Sequence, residues 1–306
     1  MTIKKNKSSI LKNFILLALF TLVSSCRTQT MPQFNQDQAY SYLVKQCEFG
    51  PRNPGSDGRE KCRKYLIAEL QQSTDVVNQQ HFSYTFGSPP QSAKATNIIA
   101  HFQPQMKNRI LLGAHWDTRP WADEDPDIVV HNQPIIGAND GASGVAVLLE
   151  ISRILKNHAP QTGVDIVLFD AEDSGNHSSM MSWAIGSQMF AKERPFSILP
   201  QMGIILDLIG DSDLQIYIER FSQQYAPDVV DLVWSKAEKL GISEFIRIPK
   251  FEVFDDHIAL LKIGIPCIDV IDFDYPYWHT LKDTPDKCSA ESLGKVGNVV
   301  LSVLFE

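Results

Sequence analysis

Apolar positions along the chain change period several times, and each change marks an element. Residues 36–47 and 56–70 carry apolar side chains at helical spacing, and Ser56 is placed to cap the second helix. A turn rich in glycine and proline separates them. Alternating and β-branched stretches at 76–86, 96–102 and 110–114, divided by turn residues, predict consecutive strands. Residues 145–155 have the period of a buried helix. Apolar strands then alternate with helices through 164–169, 183–191, 202–208, 227–240, 256–262, 265–271 and 290–304. Such alternation predicts an α/β fold with a mostly parallel central mixed sheet and helices on both faces. Ligands of open sheets of this kind collect at the carboxyl ends of the strands.

The first residues break the pattern. Lys4, Lys5, Lys7 and Lys12 precede an apolar run over 14–23, too short for the roughly 18–20 residues of a membrane-spanning helix. It predicts an export signal over 1–25. Val23-Ser24-Ser25-Cys26 resembles the bacterial lipobox, which implies lipidation of Cys26, a membrane anchor through it, and an exported lipoprotein of the periplasm or outer membrane; ordinary signal cleavage is the alternative. A tether over 26–33 then leads into a single catalytic domain over 34–306, because the 43% hydrophobic content shows no internal break. Cleavage before Cys26 removes four lysines and takes the formal charge from −8 to −12, which argues against nucleic acid as a partner. Cys47, Cys62, Cys267 and Cys288 form no CxxC pair; a Cys47–Cys62 disulfide and free buried thiols are both open.

Three apolar strands end in acids or histidine: Ala114-His115-Trp116-Asp117, Phe169-Asp170-Ala171-Glu172-Asp173 and Leu206-Asp207. Asp140 lies in the turn Gly137-Ala138-Asn139-Asp140-Gly141, and Asp255-Asp256-His257 and Tyr277-Trp278-His279-Thr280 follow. One acid at a strand end is commonly a helix cap. Several converging on one rim repel one another and call for a cation, and two or three carboxylates with one imidazole match the ligand sets of catalytic zinc.

The order His115-x-Asp117, Asp140, Glu172-Asp173, Asp207, His279 resembles the metallopeptidase family of bacterial leucyl aminopeptidases and the related glutaminyl cyclases. The resemblance runs from Phe49-Gly50-Pro51-Arg52 to the last helix, and Asp207-Leu208-Ile209-Gly210, Asp255-Asp256-His257-Ile258 and Trp278-His279-Thr280 are similar to the cyclase branch. It implies a zinc aminopeptidase-like fold and conversion of N-terminal glutamine of peptides or proteins to pyroglutamate with release of ammonia. Asp140, Asp173 and His279 would hold a single zinc. Asp173 stands where the animal cyclases have Glu, and Asp269 where they have a histidine beneath the site. Glu172 would shuttle the proton, Asp207 would hold the departing nitrogen, and Asp255 would orient or share a proton with this acidic cluster. Trp278 and Trp183 would grip the amide, with Trp183 equally readable as a core residue, and Trp116 and Trp121 as rim or packing residues.

Two other readings follow from the same residues. A two-zinc aminopeptidase would use His115 and Asp207 with Asp140 as a second metal site. A non-catalytic peptide-binding lipoprotein would keep only the fold, but no ligand of the set is missing.

Overall fold

The computed structural model describes residues 1–2, 31–196 and 198–306, so the expected signal segment and Cys26 lie outside the described residues. Residues Met31–Glu306 form one compact unit. Its strands are β1 (Val77–Phe86), β2 (Gln91–Phe102), β3 (Arg109–His115), β4 (Gly163–Phe169), β5 (Met202–Asp207), β6 (Ile216–Ile218), β7 (Phe245–Pro249) and β8 (Cys267–Ile271). Its helices are α1 (Gln36–Glu48), α2 (Asp57–Gln71), α3 (Ala142–Leu155), α4 (Ile185–Glu193), α5 (Arg220–Tyr225), α6 (Pro227–Leu240), α7 (Asp256–Lys262) and α8 (Ala290–Phe305).

The main sheet runs β1-β2-β4-β3-β5-β8. Its first two pairings are antiparallel and the β4-β3, β3-β5 and β5-β8 pairings parallel. Alternate side chains of the inner strands enter two cores. Ile110, Leu112, Ile166, Leu168, Ile204 and Leu206 meet α1, α2, α3, α6 and α8 in the larger core. Leu111, Val167, Phe169 and Ile205 point the other way, against Phe190 of α4 and Leu260 of α7. Because both faces are covered, these strands read as continuous apolar runs. Helix α3 is buried on almost every side, and its one deep acid, Glu150, is held by Arg153 at 2.6 Å and by the backbone N–H of Asn35 at 3.1 Å.

Differences from the sequence pattern have local causes. The polar start of β2 extends the β1 ribbon past the main sheet, where Ser92 and Lys94 face solvent and give no apolar signal. The segment expected over 265–271 begins its strand only at Cys267, after Pro266, which has no N–H for a ladder. The helix expected from Trp183 starts at Ile185, because Ala184 before it is left-handed at φ 53°. Two short strands, β6 and β7, make a separate parallel pair, and with the single turn of α5 they are too short to carry a period. Ser56 caps α2, its side chain accepting from the Arg59 N–H at 3.1 Å. The four described cysteines are free and buried, so the Cys47–Cys62 bridge is not made, and burial pushes both of these thiols up to about 12.

Arg52 is fully buried and ties the loops at the top of the sheet together. Its guanidinium donates to the carbonyls of Trp116 (3.0 Å), Ile136 (2.8 Å) and Gly137 (2.7 Å), and its N–H to the Thr118 hydroxyl (2.9 Å). Arg52→Met would leave these carbonyls buried without donors, each worth about 1–3 kcal/mol. Urea unfolding of this variant should show a loss of about 3 kcal/mol or more. An unchanged midpoint would mean that water replaces the guanidinium.

Candidate active site

Strands β3, β4 and β5 end side by side, so the residues that follow them meet at one rim. The turn before α3 delivers Asp140 to the same place. Gly141 in that turn has φ +93°, and a Cβ there would stand 2.4 Å from the carbonyl oxygen of Asp117. Only glycine allows this approach. Asp283 fixes the turn from above, accepting the N–H groups of Asn139 at 2.8 Å and Asp140 at 3.1 Å. Asp117 does the same for the β4 loop, accepting from the N–H of Glu172 at 3.1 Å and of Asp173 at 3.3 Å. Four of the left-handed non-glycine residues, Ala171, Ala184, Leu208 and His279, lie at or next to candidate residues. Such conformations persist only where the surroundings impose them.

Asp140, Asp173 and His279 offer donor atoms within 4.8 Å of one another. His279 Nε2 is 3.0 Å from Asp173 Oδ1 and 3.5 Å from Asp140 Oδ2. A tetrahedral zinc with bonds of about 2.0–2.1 Å spaces its ligands roughly 3.3 Å apart, so the two separations from His279 lie close to that value. All three residues are buried, and Asp140 Oδ2 and both Asp173 carboxylate oxygens lack hydrogen-bond partners. Buried oxygens of this kind need a cation or a proton. Burial and the neighbouring Asp140 push Asp173 well above the carboxylate range, whereas Asp140 is lowered because its hydrogen bond and charge contact with His115 outweigh burial. Burial drives His279 down to about 3 against the pull of Asp140, which leaves it the neutral imidazole that metal binding requires. The ring is stacked on Trp278, with centroids 3.8 Å apart, and lies parallel to Trp183 at 5.9 Å.

A cavity of about 230 Å³ opens on this cluster, lined by Glu172, Asp207, Asp255, Trp183 and Trp278 along with the three donors. Trp183 is therefore a wall of the cavity, whereas Trp116 is fully buried, its indole N–H donating to the Thr96 carbonyl at 3.2 Å. Trp121 packs on Phe86 and Arg119. Burial raises Glu172 well above the usual range, with Asp255, Asp173 and Asp256 adding to it against the opposing His115. Burial also raises Asp207, to about 6. His115 Nε2 sits between Asp207 (3.1 Å) and Asp140 (3.2 Å), and these contacts hold its proton on despite burial. Below them Asp269 is fully buried with neither carboxylate oxygen hydrogen-bonded, and burial and Asp255 raise it well above the usual range.

Several supporting residues carry no signal in the sequence. Arg119 donates to the carbonyls of Asp173 (3.0 Å) and Gly175 (2.8 Å), pairs with Asp123, and lies 4.5 Å over the Trp183 ring. Asp123 Oδ1 stands 3.6 Å from His279 Nδ1, facing the nitrogen turned away from the donor cluster. Asp283 sits in a Lys-Asp-Thr-Pro loop that reads as an ordinary turn.

The sheet and its rim of acids and histidine define a metallopeptidase-like α/β enzyme. A model of peptidase family M28 matches residues 97–304, and the chain belongs to that family. It is similar to the solved structure of Tannerella forsythia glutaminyl cyclase, at 40% identity over 90% of this chain and 99% of that one, with a TM-score of 0.86. A Zn-dependent exopeptidase from Parabacteroides distasonis is 37% identical over 90% of this chain and 99% of that one, with a TM-score of 0.87. The mouse glutaminyl-peptide cyclotransferase-like protein is 25% identical, covering 83% of this chain and 72% of its own length. The fold is that of the zinc exopeptidase-like glutaminyl cyclases, and the chain is an enzyme of this M28 and cyclase group.

Proposed function

We propose that this enzyme is a glutaminyl-peptide cyclotransferase that uses one zinc ion to close the N-terminal glutamine of peptides or proteins into pyroglutamate. The observation that carries the reading is the set Asp140, Asp173 and His279, with donor atoms within 4.8 Å of one another, in a cavity also lined by Glu172 and two tryptophans. Zinc held by these three residues would supply Lewis acidity at the γ-carbonyl oxygen of the substrate. The substrate's own α-amine attacks that carbonyl, so holding the side chain folded back supplies much of the acceleration. Trp183 and Trp278 flank the flat amide. Glu172 takes the proton of the attacking amine and returns it to the nitrogen that leaves as ammonia; its raised proton affinity, drawn back by a nearby cation, suits both transfers. Asp207, open to the cavity, accepts hydrogen bonds from the departing nitrogen, and Asp255, which lines the same cavity, orients this acidic cluster or shares a proton with it.

His115, Asp140 and Asp207 also lie within 4.8 Å of one another, which makes a two-zinc aminopeptidase the second reading. Mature protein incubated with a glutaminyl dipeptide should yield ammonia and pyroglutamate at one zinc per chain. Two tightly bound zinc ions with release of free glutamine would decide for the peptidase. We further infer export and anchoring through Cys26, a reading supported by residues 1–26 of the sequence alone.

A further inference from the structure

The catalytic cavity holds about 230 Å³, room for one side chain and little more, so a peptide must leave it at once. Two residues of its rim, Met180 and Phe254, also line a second depression of about 600 Å³. Phe221 and Tyr225 of α5 form one wall of this groove, and Ile258 and Leu261 of α7 belong to its lining. The two aromatic rings lie nearly parallel at 6.4 Å. Met180 and Tyr225 are each 57% exposed, an apolar surface that the described residues leave uncovered and that is ordinarily costly to leave in water. Lys262 is the one charged side chain among the described residues of the groove lining, with Nζ 5.2 Å over the Phe254 ring. The groove thus adjoins the catalytic cavity across Met180 and Phe254, is apolar, and is hostile to a basic group.

We propose that this groove binds the third and fourth residues of the peptide substrate and selects apolar side chains there. The assignment rests on the cyclase reading, which places the N-terminal glutamine in the adjoining cavity and sends the following residues past Met180 and Phe254. It makes Phe221, Tyr225 and Leu261 specificity-determining residues that never touch the reacting atoms.

The zinc-loaded enzyme should be assayed with Gln-Ala-Phe-Leu-amide, Gln-Ala-Ser-Ser-amide and Gln-Ala-Lys-Lys-amide. Partial burial of one large apolar side chain corresponds to about tenfold in affinity. The Phe-Leu peptide should therefore exceed the Ser-Ser peptide about tenfold in kcat/KM, through KM, and the Lys-Lys peptide should be the poorest. In Tyr225→Ser and in Leu261→Ser the tenfold ratio should fall toward one. Equal kcat/KM for the three peptides in wild type, or a ratio that survives in both variants, overturns the proposal. Tyr225 is largely exposed, so its variant keeps the fold even if the Leu261 variant does not. Should no peptide be cyclised, the cyclase reading fails separately, and calorimetric titration with the same peptides judges the groove: preferential binding of the Phe-Leu peptide, lost in Tyr225→Ser, upholds it, and equal binding overturns it. A wild-type dimer that dissociates in Tyr225→Ser assigns the groove to a second copy of the chain instead.

Discussion

Glu172→Gln should lower kcat by about 10²–10⁴-fold with KM little changed and zinc still bound. Glutamine keeps the size of the side chain but accepts no proton from the amine. The Asp117 carboxylate should hold the loop in the variant as it does now, because it is the backbone N–H groups of residues 172 and 173 that it accepts. Zinc retention follows from the same geometry, since Glu172 is outside the donor set. Asp207 is the rival base, raised by burial to about 6 and open to the same cavity. The two are separated by measuring kcat and zinc content for Glu172→Gln and Asp207→Asn together. A Glu172→Gln enzyme within about threefold of wild type would refute its role as the proton shuttle.

Removing the metal should abolish activity and lower the stability of the protein by ~4 kcal/mol relative to enzyme at a zinc concentration about 1,000-fold above Kd. Without a cation, Asp140 and Asp173 face each other with three unpartnered oxygens between them. His279→Ala should lose zinc in proportion to activity, and normal zinc content in that variant would remove it from the ligand set. The metal-free protein should also respond to pH in a characteristic direction. Burial raises Asp170 and Asp283 to about 7, and His115 titrates above its ordinary range because Asp207 and Asp140 outweigh its burial. Groups with raised folded-state values stabilise the fold at low pH and lose that contribution as pH rises through them. Melting temperature of the metal-free protein should therefore rise as pH is lowered from 8 to about 6.5. Below that His279 opposes: burial lowers it to about 3, so as pH falls the imidazole is protonated in the unfolded chain but not in the fold, and its contribution to stability is lost. Full activity in protein shown to be metal-free would sink the zinc assignment.

The order of strands and helices was legible because each inner strand is covered on both faces and each long helix has an apolar stripe, so burial itself writes the pattern into the chain. The same holds for the gathering of acids at strand ends, since parallel strands must present their carboxyl ends to one rim. Elements of three to six residues, β6, β7 and α5, left no period to read. The sequence also left Trp183 balanced between core and site, because an aromatic residue near a helix start is compatible with either. Its place beside the His279 ring, parallel to it with centroids 5.9 Å apart, depends on Arg119 and on the loop after β4. The choice between a Cys47–Cys62 bridge and free thiols was likewise spatial. By itself the sequence determined which residues carry charge, where the elements lie and which family pattern they resemble, for those depend on local composition and spacing. Only the tertiary structure decided that Arg52, Asp117, Asp123 and Asp283 serve the site, and that His115 lies between two carboxylates. Each of those contacts joins segments distant in the chain, and whether a polar side chain there caps a turn or holds a catalytic loop is settled by which backbone groups packing brings within reach.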